Sequence, residues 1–172
     1  SDERLPPAAS DAGDNADDTL SPSRLREQAQ CPRRAAALRL GLQPWPELSD
    51  GIPPALRGNL VHAMLAAYGS ARRGVPLDAG VLTDVSLNAL DDLIANERVL
   101  RPAIADVVWR TERARIAELL DKVLAVDAAR PEFAVVAVEE AAGATVAGQR
   151  FRGKLDRVDQ VGDVRIILDY KT

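Results

Sequence analysis

The sequence predicts an α/β domain in which helices come first and a three-stranded antiparallel meander follows. Two observations carry this expectation. Between Ser21 and Asp127, apolar residues recur at three- and four-residue spacing, the period of amphipathic helices. After Pro131 the period changes to two, in β-branched alternating runs with turn signals at Ala142-Gly143 and Gly162-Asp163.

The elements follow in order. Residues 1–20 are polar, acidic and rich in Pro, Gly and Ala, with no hydrophobic period, and are expected to form a disordered leader or linker. Order is expected from Ser21-Pro22-Ser23, with serine as helix cap and proline in the first turn. That helix runs to about Leu40 and stops at Gly41, with Pro32 kinking or splitting it. Residues 42–56, with four prolines and Gly51, form a loop. Helices are expected over Gly58–Tyr68, Thr83–Asn96 and Ala103–Asp127, and strands over Phe133–Glu140, Thr145–Asp159 and Val164–Lys171. The domain therefore spans 21–172.

Composition bounds the function. The 172 residues are 47% hydrophobic, 28% charged and only 3% aromatic, so Ala, Leu and Val must build the core. No apolar run approaches the roughly 20 residues that span a bilayer, which argues against a membrane partner. A single cysteine, Cys31, excludes an internal disulfide, and any zinc or iron–sulfur site made only of this chain's thiolates. It points to a reducing, cytoplasmic compartment. The lone histidine, His62, removes mechanisms that need two. Net charge is −4, but residues 1–20 hold six Asp/Glu against Arg4, so the remainder is close to neutral and a polyanionic partner is not excluded.

The chemistry concentrates near the C-terminus. On a strand over 164–171, Asp169 and Lys171 would share one face, opposite Leu168 and Tyr170, and a short hairpin would bring Asp156 alongside. Two carboxylates and an ammonium converging at a strand end make a poor core, because buried charge is costly unless paired or metal-bound. A hard divalent cation resolves the repulsion of adjacent carboxylates and polarises a phosphoryl oxygen. A neighbouring lysine can orient water or stabilise charge developing in the transition state.

Gly153-Lys-Leu-Asp156-Arg-Val-Asp159 followed by Asp169-Tyr-Lys171-Thr172 resembles motifs II and III of the PD-(D/E)XK nuclease superfamily, and more narrowly its RecB-like branch, which includes the nuclease domains of RecB and AddB. Gly58-Asn-Leu-Val-His62 resembles that branch's Gly-x-x-x-His helix. Ser21-Pro-Ser-Arg-Leu with Cys31-Pro32 resembles its entry motif. The resemblance implies a restriction-endonuclease-like core and a metal-dependent DNA nuclease, exonucleolytic, acting in repair or recombination beside a helicase or helicase-like region. It implies His62, Asp156, Asp169 and the Tyr170 carbonyl as ligands of Mg²⁺ or Mn²⁺, with Asp156, Asp169 and Lys171 catalytic. The branch continues into a helix bearing Gln-x-x-x-Tyr, whereas this sequence stops at Thr172, so a domain lacking its C-terminal part is expected. An iron–sulfur cluster through Cys31 would require a longer parent chain.

Plainer readings stand beside these. Asp169 and Lys171 could be a surface ion pair, and a lone helical histidine is usually structural. Asp159 is expected on the opposite strand face from Asp156, in a solvent or turn role, while Arg157 is open between salt bridge and phosphate contact. Of Glu139 and Glu140, one should face the site and one solvent. Cys31 is expected to be a small buried residue, and Tyr170 and Trp109 to pack in the core. The basic face from Arg24 to Arg39 is a solvated surface with phosphate contact open. Two other functional classes remain: a nuclease-fold DNA-binding or scaffolding module without turnover, and a helical interaction domain.

Overall fold

A computed structural model of the chain describes residues 19–42, 51–74 and 78–171. Nearly all of the expected acidic leader, much of the loop after residue 42 and Thr172 lie outside the described residues. Helices α1 (Pro22–Gln30), α2 (Pro32–Arg39), α3 (Pro54–Ala71), α4 (Ala79–Leu100) and α5 (Asp106–Ala129) precede strands β1 (Ala134–Val146), β2 (Gln149–Val161) and β3 (Val164–Leu168). The strands form one antiparallel sheet in the order β1-β2-β3.

The chain divides into two compact units. One joins the described residues of the segment up to residue 42 to the hairpin tip Gly143–Gly153; the other holds α3, α4, α5 and the rest of the sheet. In the first unit the Ser21 hydroxyl accepts a hydrogen bond from the Arg24 N–H at 3.2 Å, the cap expected from the sequence. Pro32 splits the expected helix in two. Cys31 sits between the pieces in extended conformation, φ −158°, and is exposed rather than buried as expected, because it ends α1 and begins α2.

In the second unit α3 starts at Pro54, four residues before the expected Gly58. Proline at the first helical positions loses no intrahelical bond, so the loop's prolines start the helix rather than block it. Its buried face carries Leu56, Leu60, Val61, Met64, Leu65 and Tyr68 at helical spacing. That stripe meets Leu82, Leu90 and Ile94 of α4 and Trp109, Ile116 and Leu120 of α5 in a single core, with Tyr170 packed against it. Trp109 and Tyr170 are thus core residues, as expected. Helix α4 starts at Ala79, where the Asp78 carboxylate accepts from the N–H groups of Gly80 and Val81.

Two strand expectations are corrected. The first turn lies at Ala147-Gly148, both at positive φ (49° and 78°), the conformation a two-residue hairpin demands. The expected turn residue Gly143 instead lies within β1, where an added Cβ would stand 3.3 Å from the Phe151 carbonyl oxygen, so its missing side chain serves close approach within the hairpin. Finally, β3 pairs with β2 from Val161↔Val164 to Arg157↔Leu168 and ends there, leaving Asp169, Tyr170 and Lys171 beyond the ladder.

A buried ionic network anchors this sheet to the helices. Arg157 and Asp159, 1% and 0% exposed, hold each other through two hydrogen bonds of 2.7 and 2.8 Å. Arg157 also reaches Asp127 of α5 at 2.8 Å, and Arg130 bridges Asp127 and Asp159 at 3.0 and 2.7 Å. Tyr68 of α3 and Arg72, which caps that helix, donate to the same Asp127 carboxylate at 2.7 and 3.1 Å. Phe133, just before β1, lies under the guanidinium groups of Arg72 and Arg130, 3.7 and 4.0 Å from its ring centre. The expected solvent or turn role of Asp159 is therefore corrected. The β-pleat sends Arg157 and Asp159 away from the face of Asp156, and there they meet α3 and α5 instead of water. Arg157 resolves to the salt-bridge alternative.

Candidate metal centre

The site is assembled from one helix and two strands. His62 lies on α3 one residue after the buried Val61, with its side chain one-third exposed. Asp156 lies on β2 one residue before the buried Arg157, and Glu139 lies on β1. His62 Nδ1 stands 3.5 Å from Asp156 Oδ1. One ligand-type atom from each of His62, Glu139 and Asp156 falls within 4.8 Å of the others.

Backbone packing makes this meeting possible. Gly69 of α3 faces Val138, the neighbour of Glu139, so closely that an added Cβ would lie 3.0 Å from Val138 Cγ2 and 3.8 Å from Arg157 Cδ. A side chain at Gly69 would push β1 away from the helix that carries His62. Glu139 itself has φ +53°, which a non-glycine residue adopts only at some cost. Of the two glutamates, Glu139 faces the site and Glu140 is exposed, as expected. Assigning Glu139 to the cluster itself goes beyond the sequence expectation, which had one of the two glutamates facing the site without naming it a ligand.

Asp156 has a second role. Its Oδ2 accepts a hydrogen bond of 2.7 Å from the Tyr170 N–H. The carboxylate thus captures the chain just past the end of β3, between Asp169 and Lys171. The Tyr170 ring lies edge-on to His62, with centres 6.3 Å apart and planes at 75°. Burial pushes the Tyr170 phenol above its ordinary range.

Asp169 and Lys171 pair with each other at 2.5 Å and are largely exposed. The hydrogen bond from Lys171 holds the Asp169 carboxyl below the usual carboxylate range, with smaller contributions from Asp156 and His62. Of the predicted site residues the structure brings His62 and Asp156 together. It hangs Tyr170 on Asp156, and leaves Asp169 outside the three-residue cluster as Lys171's partner. On the far side of the cluster, Lys154 of β2 pairs with Glu139. Lys154, Glu139 and His62 line an open groove with Asn59, Ala63 and Ala66, spaced along one side of α3.

The donor set suits a hard or borderline divalent ion: two carboxylates favour Mg²⁺, and an imidazole makes Mn²⁺ comfortable as well. The dense carboxylate packing, with Lys154 and Lys171 as counter-charges, is what such an ion would complete.

A helix-then-sheet domain that gathers a carboxylate–imidazole cluster from α3, β1 and β2 is consistent with the restriction-endonuclease-like fold. The chain matches the family model of the PD-(D/E)XK nuclease superfamily over residues 19–172, and it belongs to that superfamily. No curated protein and no solved structure matches it. Among the described residues no helix is long and apolar enough to cross a membrane.

Proposed function

We propose that this chain is a metal-dependent deoxyribonuclease of the RecB-like branch. The observation that carries the reading is the convergence of His62, Glu139 and Asp156 within 4.8 Å, with Asp156 also holding the backbone between Asp169 and Lys171. A divalent cation bound by these residues, with Asp169 and the Tyr170 carbonyl as further ligands, supplies Lewis acidity toward a phosphoryl oxygen.

The chain's own groups do the rest. Asp156 fixes the position of Tyr170 and therefore the direction in which residues 169–171 leave the sheet. Lys171 is the catalytic lysine: its ammonium orients the attacking water and stabilises negative charge on the phosphoryl oxygens as the bond to the leaving oxygen breaks. Asp169 pairs with that ammonium and directs it. Hydrolysis adds water across the phosphodiester, leaving a phosphate on one fragment and a hydroxyl on the other.

The ordered motifs at Ser21–Pro32, Gly58–His62, Gly153–Asp159 and Asp169–Thr172 support the finer reading of an exonuclease in DNA repair or recombination that works beside a helicase or helicase-like region. A cytoplasmic location rests on the single cysteine. Calorimetric titration of Mn²⁺ and Mg²⁺ into the protein, beside Asp156→Ala, tests the centre directly. Binding that vanishes in the variant supports it; binding unchanged in the variant removes it.

A further inference from the structure

The arginines of this molecule fall into two populations. In the second unit most of them meet a carboxylate, from Arg57 with Glu112 to Arg157 with Asp159. In the first unit none does among the described residues. Arg24, Arg26, Arg33, Arg34 and Arg39 on α1 and α2 are all exposed, as are Arg150 and Arg152 on the hairpin tip. Glu27 is the one acidic residue in those segments. Among the described residues, the single side-chain bond these guanidinium groups make is from Arg39 to Gln28, at 3.2 Å.

The two sets belong to one surface because the backbone ties them. The Leu20 N–H donates to the Arg150 carbonyl at 2.9 Å, and the Arg152 N–H donates to the Leu20 carbonyl at 2.9 Å. The chain entering α1 is thus held by one isolated parallel bridge, Leu20 to Phe151, between Arg150 and Arg152, which share one face of β2 as residues two apart. Sequence distance hides this: the basic helical face and the hairpin tip are separated by more than a hundred residues.

Among the described residues of this unit, seven exposed guanidinium groups stand against the single carboxylate of Glu27, an excess of like charge that an external polyanion would relieve. Guanidinium groups match phosphate oxygens with paired N–H donors. The only aromatic residue in these segments is Phe151, half-buried in β2, which leaves the surface without an exposed ring for base stacking. We propose that this unit is a docking surface for the sugar–phosphate backbone of DNA, indifferent to base sequence. The inference rests on the reading that DNA is the substrate, and it assigns to the first unit the work of holding it.

The test uses the full chain without metal, in chelator, and measures fluorescence anisotropy of a labelled single-stranded oligonucleotide across a salt series. Replacing Arg24, Arg26, Arg150 and Arg152 together by glutamine should weaken binding at least about tenfold near physiological salt. It should also flatten the dependence of log K on log salt by about 0.7 for each phosphate that is no longer neutralised. The same four positions as lysine should keep most of the slope, and Arg110→Gln with Arg165→Gln in the second unit should leave affinity and slope unchanged. Thermal melts of each variant establish that it is folded.

Wild-type affinity and slope in the folded four-glutamine variant would overturn the proposal. So would failure of the wild-type chain to bind the oligonucleotide, or binding to phosphatidylserine vesicles in its place. The nuclease reading fails differently: if Asp156→Ala still cleaves DNA as the wild type does, the metal cluster is wrong while the docking surface stands.

Discussion

Asp156 and Tyr170 are joined by a 2.7 Å hydrogen bond from the Tyr170 N–H to the carboxylate, and through it one side chain determines where β3 releases the chain. The same carboxylate lies 3.5 Å from His62. Removing it should therefore damage both the ligand set and the placement of Lys171. Asp156→Asn, which keeps a hydrogen-bond acceptor but not the charge, should lose metal binding while retaining much of the fold. Asp156→Ala should lose metal binding and lower the melting temperature as well. Calorimetry and melting curves on the pair separate the two roles.

Lys171→Ala should leave Mn²⁺ binding close to wild type, because the lysine touches Asp169 rather than the three-residue cluster. DNA cleavage should fall by about a hundredfold or more, the usual loss when one transition-state donor is removed. Cleavage at the wild-type rate would assign the chemistry to another group, with Lys154 the nearest candidate.

Glu139→Gln separates the observed cluster from the one that the family resemblance implied. If Glu139 is a ligand, Mn²⁺ affinity should drop roughly 10- to 100-fold. If it serves only as the partner of Lys154, affinity should change little.

The buried network makes a stability prediction. Arg157→Met leaves the carboxylates of Asp127 and Asp159 buried without their main counter-charge, and should destabilise by about 3–5 kcal/mol. Denaturant melts of the variant check this. A loss under about 1 kcal/mol would mean that Arg130 and Arg72 suffice to hold the carboxylates.

The same network sets the pH limits of the fold. Burial pushes the Asp127 carboxyl up, but hydrogen bonds from Arg157 and Tyr68 outweigh it and hold the group below the ordinary 3.8. The stability it contributes is present above that value and is lost as pH falls below it. Tyr68 is the opposite case: burial, with the hydrogen bond to Asp127 next, raises its phenol to about 12. Its contribution is present below the ordinary value of 10.0 and is lost as pH rises from there toward 12. Melting temperatures across both ranges, in wild type and Tyr68→Phe, should show a smaller alkaline loss in the variant than in the wild type.

Much of this protein was legible in its sequence because the signals are local. Period and cap marked the helices, the change of period after Pro131 marked the sheet, and the spacing of Gly58–His62, Gly153–Asp159 and Asp169–Lys171 marked the motifs. Element ends were less legible: Pro54 begins a helix and Gly143 lies within a strand, because in each case packing or hairpin geometry outranks the local breaker.

The tertiary structure alone decided which of the many charged residues meet. Nothing near Glu139 announces a ligand; a positive φ on β1 and the close passage of Gly69 bring it to His62. Asp159 became a buried anchor because α3 and α5 present Arg72, Asp127 and Arg130 to its face of the sheet. The arginines of α1 and of the hairpin tip became one surface through two hydrogen bonds at Leu20. Local sequence sets which backbone conformation is cheap, and so it determined the elements and the motif-bearing positions. Charge partners are chosen by long-range packing, where the cost of burying a charge is met only by residues brought in from distant parts of the chain.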